Sequence, residues 1–283
     1  MRWRAIIVLL LAAVAGCSTV RLSYNQGPFL AHWWLDGYAD FNAEQSIKVK
    51  AALADWFAWH RATQLPDYAQ ALAELQVLAT DKLSAAQVCS QMAAWQQRAE
   101  RAYEQAVPAI AEQVRSLTPA QIQRIERQQN KKLAEAEADF LQDDPAERHK
   151  ALRKRNIDRA ETIYGKLSPA QLQLLTQSIA QSPFKPELWL AERRQRQHDI
   201  LRQLRRWQSA QDDATAVQAG LRQLGAAALV SPRPAYQAYA EAVTQANCAL
   251  SAAVHNAAGA PQRQHAVDKL KGWEDDLRAL FKR

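Results

Sequence analysis

The stretches Leu117-Thr118-Pro119-Ala120-Gln121 and Leu167-Ser168-Pro169-Ala170-Gln171, with Leu83-Ser84-Ala85-Ala86-Gln87 before them, decide the fold class. Each reads as the first turn of an α-helix. Ser or Thr caps the free backbone amides, Pro or Ala fits the first helical position, and Gln at the third position returns a hydrogen bond to the cap. The leucine before the cap meets Val88, Ile122 or Leu172 at the fourth position as a hydrophobic staple. The intervals between the three starts are unequal, which argues against a solenoid of equal repeats.

Outward from these starts the chain reads as helix throughout. The three helices are expected to run to about Arg115, Leu141 and Gln181, with a further helix from Pro145 to Tyr164 ended by Gly165. Upstream, the run from His32 to Ala62 is read as one helix, continued past a kink at Pro66 by Tyr68, Leu72, Leu75 and Leu78. Downstream come Glu187 to Gln208, Asp213 to Leu229, Ala235 to Ala258 and Gln262 to the C-terminus. Ser231-Pro232-Arg233-Pro234 reads as a hinge or tight turn. Only 8 glycines occur, and no alternating β-branched stretch argues for a sheet. The expected fold is all-α, an elongated or bundled multi-helix domain over residues 32–283.

Ahead of that domain, Arg2 and Arg4 precede an uncharged run from Ala5 to Val14, too short for the ~20 residues that span a bilayer. The run closes on Val14-Ala15-Gly16-Cys17 and resembles a bacterial lipoprotein signal. The resemblance implies cleavage after residue 16 and lipidation of Cys17, with residues 17–31 as a lipidated tether that Gly27 and Pro28 keep irregular. An ordinary secretory signal, leaving Cys17 a free thiol, is the alternative. Ser18 after the cysteine resembles the sorting pattern for the outer membrane, which implies a protein anchored there; the periplasmic side is the expected one, with the outer face the alternative.

Loss of Arg2 and Arg4 lowers the net charge from +7 to +5, a mild excess in a compartment without nucleic acid. Of the 3 cysteines, Cys89 and Cys248 remain after lipidation, and an oxidising compartment makes them a candidate disulfide; two buried free thiols are the alternative.

Leu22-x-Tyr24-Asn25, Trp33-Trp34-x-Asp36-x-Tyr38-x-Asp40 and Glu44-Gln45 resemble the head of a Gram-negative lipoprotein family of unknown function. The likeness continues through residues 182–190, Asn247-Cys248, His255-Asn256 and Gln262-Arg263. It implies the anchor, the helices and the two cysteines, and no activity. A local likeness of the three helix starts to the Leu-Thr-x-x-Gln motif of Spy-like periplasmic chaperones implies client binding, although capping chemistry explains the same residues. Lipase-specific foldases share only the architecture of tethered helices.

His32, Asp36, Asp40 and Glu44 recur every four residues, but three such steps on one straight helix are too long for one ion. A polar face or a partner patch is the expected role, with no metal and no cofactor. Trp33 and Trp34 are adjacent, so one is expected to be free to touch membrane or protein. Arg193, Arg194, Arg202 and Arg205 make one late helix basic, either paired with acids such as Glu192 and Asp199 or steering an acidic client. No nucleophile elbow, zinc-protease pair, phosphate loop or Cys-x-x-Cys is present. An enzyme would need a concave pocket with perturbed carboxylates near His32 or His255. The expected function is a non-catalytic lipoprotein that binds an envelope protein, chaperone-like or docked on one fixed complex. Candidate contact residues are Trp33, Trp34, Asp36, Tyr38, Asp40 and the four arginines.

Overall fold

The computed structural model describes residues 19–210 and 213–282, so the signal and Cys17 lie outside the described residues. The described chain is all-α with no strand. In order, the helices are α1 (Thr19–Asn25), α2 (Gly27–Ala39), α3 (Ala43–Trp59), a π turn (His60–Gln64) and α4 (Leu65–Leu78). Then follow α5 (Ala85–Arg115), α6 (Pro119–Phe140), α7 (Pro145–Tyr164) and α8 (Pro169–Ala180). The chain ends with α9 (Pro186–Ala210), α10 (Ala214–Leu229), α11 (Pro234–Asn256) and α12 (Ala260–Phe281).

The capping chemistry read from sequence is present at each of the three starts. Ser84, Thr118 and Ser168 accept from the amides of Gln87, Gln121 and Gln171, whose side chains answer the cap amides. Two of these glutamines also join helices to one another. Gln121 Nε2 donates to Asp40 O at 3.0 Å and to Gln45 Oε1 at 2.7 Å, and Gln45 completes the capping box of α3 with Asn42. At the other junction Gln262 Nε2 donates to Gln171 Oε1 and to Lys166 O, both at 3.0 Å. Burying the Gln121 amide is tolerable because both its oxygen and its nitrogen find partners. At the second junction Gln171 Oε1 accepts from Ser168 N and Gln262 Nε2, while its buried Nε2 has no partner. The helix starts are thus welded in pairs, α3 to α6 and α8 to α12.

Apolar packing is divided over four clusters. The largest places Val107, Ala111, Leu201, Leu204, Trp207, Val217 and Leu221 between α5, α9 and α10. Smaller ones lie between α4 and α12, between α6 and α9, and among α7, α8 and α11. A disulfide joins Cys89 on α5 to Cys248 on α11, with Cα atoms 5.5 Å apart.

Three expectations need correction. Residues 19–31 are helical rather than an irregular tether, because Pro28 stands in the first turn of α2, where its missing N–H costs nothing. Gly27 is buried against the Phe57 ring, and a Cβ there would collide with it. The reading of His32 to Ala62 as one helix also fails. α2 ends at Asp40 in the left-handed region (φ 54), where Asp36 Oδ1 accepts from Phe41 N at 3.0 Å, and Asn42 starts α3 afresh. Beyond that break the helical path runs from Ala43 to Leu78, with the π turn just ahead of Pro66. Finally, the expected hinge at 231–234 is clamped. Arg233 donates to Glu192 Oε2 at 2.6 Å and to Asp199 Oδ2 at 3.1 Å, and Ser231 is buried.

Candidate docking surface

The candidate site is the outer face of the first two helices. Backbone hydrogen bonds continue across Gln26, from Gln26 N to Leu22 O and from Leu30 N to Gln26 O, so α1 and α2 carry one stripe. Leu22, Phe29, Leu30, Trp33 and Trp34 follow helical spacing along it and are all exposed. Phe29 and Trp33 are 67% and 69% exposed, values at which most of the ring faces solvent. With Val20 these make six of the twelve exposed large apolar side chains among the described residues; Ile47, Val77, Met92 and Leu188 lie on separate helices, and Leu229 and Val230 form a pair at the end of α10. A concentration of this kind marks a contact surface, since scattered apolar side chains are ordinary.

The opposite face of the same helices is pinned to the body. Tyr24 Oη and His60 Nδ1 share a hydrogen bond of 2.9 Å, and Trp56 stacks on His60 at 4.6 Å. Burial pushes the Tyr24 hydroxyl up to about 12 and lowers His60, so both are neutral near pH 7. Arg61 donates to Asn25 Oδ1 and to Leu280 O, each at 3.0 Å, and Arg21 pairs with Asp276 on α12. His32 Nε2 meets Ser46 Oγ on α3 at 2.8 Å. The outward stripe is therefore presented by a fixed element.

Both tryptophans of the pair are exposed, where adjacency had suggested one. α2 packs only against α1, α3 and α6 among its closer neighbours, which leaves a face wide enough for two indoles, and Trp34 leans on Tyr38 at 4.8 Å. The acidic residues beside them serve the fold. Asp36 caps the end of α2, Asp40 lies 3.4 Å from Arg124, and Glu44 pairs with Lys48. The break at residues 40–42 also takes His32, Asp36, Asp40 and Glu44 off a single helix. Among the described residues no group of three His, Cys, Asp or Glu could hold a metal.

The basic residues of α9 are held by neighbours. Arg194 pairs with Glu137, Arg205 with Glu126 at 2.6 Å and Arg202 with Asp199 at 2.8 Å, while Arg193 lies over the Trp189 ring. Beneath them burial pushes the Glu192 carboxyl up, but hydrogen bonds from Arg233, Ser231 and Arg196 outweigh this and hold it at about 2. That perturbation belongs to the clamp on the 230–233 loop. His255 is likewise structural, with Nδ1 3.1 Å from Tyr164 Oη and Nε2 2.7 Å from Asp81 O. It lines an apolar cavity of about 210 Å³ with Leu75, Leu83, Ile163 and Leu270, and no carboxylate lines that cavity.

Sequence reasoning found Trp33 and Trp34 but missed Leu22, Phe29 and Leu30, because residues 19–31 were read as irregular. The available signal was the absence of any Asp, Glu, Lys or Arg from Leu22 to Leu35 in a chain that is 23% charged.

Fold and surface together define an all-α multi-helix protein with an apolar face on α1 and α2 that none of the described residues covers. The chain belongs to DUF6279, a family of unknown function whose model matches residues 37–222. The match takes in Tyr38, Asp40 and the basic helix but stops short of the α1–α2 stripe on one side and of α11 and α12 on the other. Neither a curated protein nor a solved structure matches the chain.

Proposed function

We propose that the chain is an outer-membrane lipoprotein, anchored through Cys17 and facing the periplasm, that acts without catalysis as a docking scaffold for an envelope protein. The observation that carries this reading is the gathering of Leu22, Phe29, Leu30, Trp33 and Trp34 on one pinned face that begins a few residues after Cys17. A single fixed contact at that end would seat the molecule and leave the remaining helices to meet a partner.

The same distribution favours a dedicated partner over many unfolded clients. A client-holding protein offers broad apolar surface, whereas outside the stripe the exposed large apolar side chains among the described residues are Ile47, Val77, Met92 and Leu188, on separate helices, and the adjacent pair Leu229 and Val230. The glutamines of the chaperone-like motif are also engaged, Gln121 and Gln171 being buried in the helix junctions. The test is crosslinking in intact cells from photoreactive residues placed at the exposed body positions Val77, Met92 and Leu188. One stoichiometric envelope protein is expected. A broad set of exported proteins would replace this reading with the chaperone, and no protein adduct from any position would overturn it.

A further inference from the structure

We infer that the α1–α2 stripe lies in the headgroup region of the phospholipid bilayer that holds the anchor, with α2 along the membrane plane. The inference rests on the lipid-anchored reading above and adds which surface the stripe occupies. Cys17 precedes the first described helical residue, Thr19, by two positions, and two residues reach no more than ~7 Å. Acyl chains on Cys17 would therefore enter the membrane within a helical turn or so of Val20 and Leu22.

Orientation follows from where the apolar side chains are. From Leu22 to Trp34 the stripe is ~18 Å long. Standing upright on its anchor, the helix would carry Trp33 and Trp34 about that far into water. Lying flat, it brings all five apolar side chains to the membrane at once. The residue types also match the boundary between headgroups and acyl chains: two tryptophans, a phenylalanine and two leucines, with no charged residue from Leu22 to Leu35 to be desolvated.

The body would not drag this face away. Tyr24 on His60, Arg61 on Asn25, Arg21 on Asp276 and His32 on Ser46 lock the opposite side of the two helices to the domain. The stripe and the domain move as one piece, so seating the stripe orients α3 to α12 relative to the membrane. No described helix is long and apolar enough to cross a bilayer, which fits an element lying on the surface.

The experiment uses the full lipoprotein purified from membranes and reconstituted into phosphatidylethanolamine–phosphatidylglycerol vesicles carrying bromine on the acyl chains near the headgroups. Tryptophan emission is compared between the wild-type chain and the double variant Trp33→Phe/Trp34→Phe, which keeps the face apolar while removing its reporters. The wild type should show a component quenched by brominated lipid and shielded at least two-fold from aqueous acrylamide, and the variant should lack it. A component that acrylamide reaches freely and brominated lipid does not quench would overturn the inference. So would capture of a protein, in place of lipid, from a photoreactive residue at Trp33 in cells. The mass of the N-terminal peptide separates the two claims. An unacylated Cys17 overturns the anchor on which the inference rests, whereas an acylated Cys17 with no lipid-quenched component overturns this inference alone.

Discussion

Replacing Arg233 with alanine should release the loop between α10 and α11 at a cost readable from one carboxylate. Glu192 is buried and receives Arg233 Nε at 2.6 Å, Arg233 Nη2 at 2.7 Å and Arg196 Nε at 2.9 Å. Its carboxyl stands at about 2 against an ordinary 4.5. At 1.36 kcal/mol for each tenfold change in proton affinity, the gap corresponds to about 3 kcal/mol. The unfolded chain takes up this proton near 4.5 and the folded chain only near 2, so between those values the unfolded state binds more protons. The contribution is complete above pH 4.5 and is lost as pH falls towards 2. Removing Arg233 leaves Glu192 buried with only Arg196 and the Ser231 hydroxyl, and leaving a buried charge short of its main partner typically costs about 3–5 kcal/mol. Urea unfolding of wild-type and Arg233→Ala chains at pH 7 and at pH 3 measures both quantities. The variant should lose about 3 kcal/mol at pH 7, and the difference between the two proteins should shrink at pH 3. A loss below about 1 kcal/mol at pH 7, or a difference unchanged by acid, would refute the clamp.

Two further outcomes follow from the packing. Cys248→Ala opens a cross-link between residues 159 apart, for which the chain-entropy account gives at most about 5 kcal/mol; the urea midpoint should fall sharply and reducing agent should lower it no further. Gln121→Ala removes a cap partner and the bridge to Asp40 and Gln45, and should cost about 1–3 kcal/mol by thermal unfolding, while Gln123→Ala on the exposed side of the same turn should change little.

The helices were legible because their starts are written locally. Thr118 with Gln121 and Ser168 with Gln171 specify where a helix begins whatever surrounds it, and the structure places α6 and α8 there. Pairing of those starts was not legible, since a capping glutamine has the same sequence whether its second amide proton meets water or the oxygen of Gln45. The misreadings at Pro28 and at residues 40–42 have a common cause. Proline in a first helical turn resembles a breaker, and His32, Asp36, Asp40 and Glu44 look like one polar stripe until Asp40 turns left-handed and Asn42 caps a new helix. Of the candidate surface, the tryptophans stood out by type. Their companions Leu22, Phe29 and Leu30 needed the knowledge that this segment is helical and that no later element covers it. The role of Arg233 was hidden for a related reason, because its partners Glu192 and Asp199 lie on a helix that ends before the loop begins.

The most direct test of the anchored, membrane-seated molecule is mass spectrometry of the N-terminal peptide from the protein purified out of outer membranes. The account predicts a chain beginning at Cys17, carrying diacylglycerol on sulfur and a third acyl group on its amine, with Cys17→Ala abolishing both the modification and the membrane fractionation. A peptide beginning elsewhere, or an unmodified Cys17 in protein that still fractionates with the outer membrane, would contradict it.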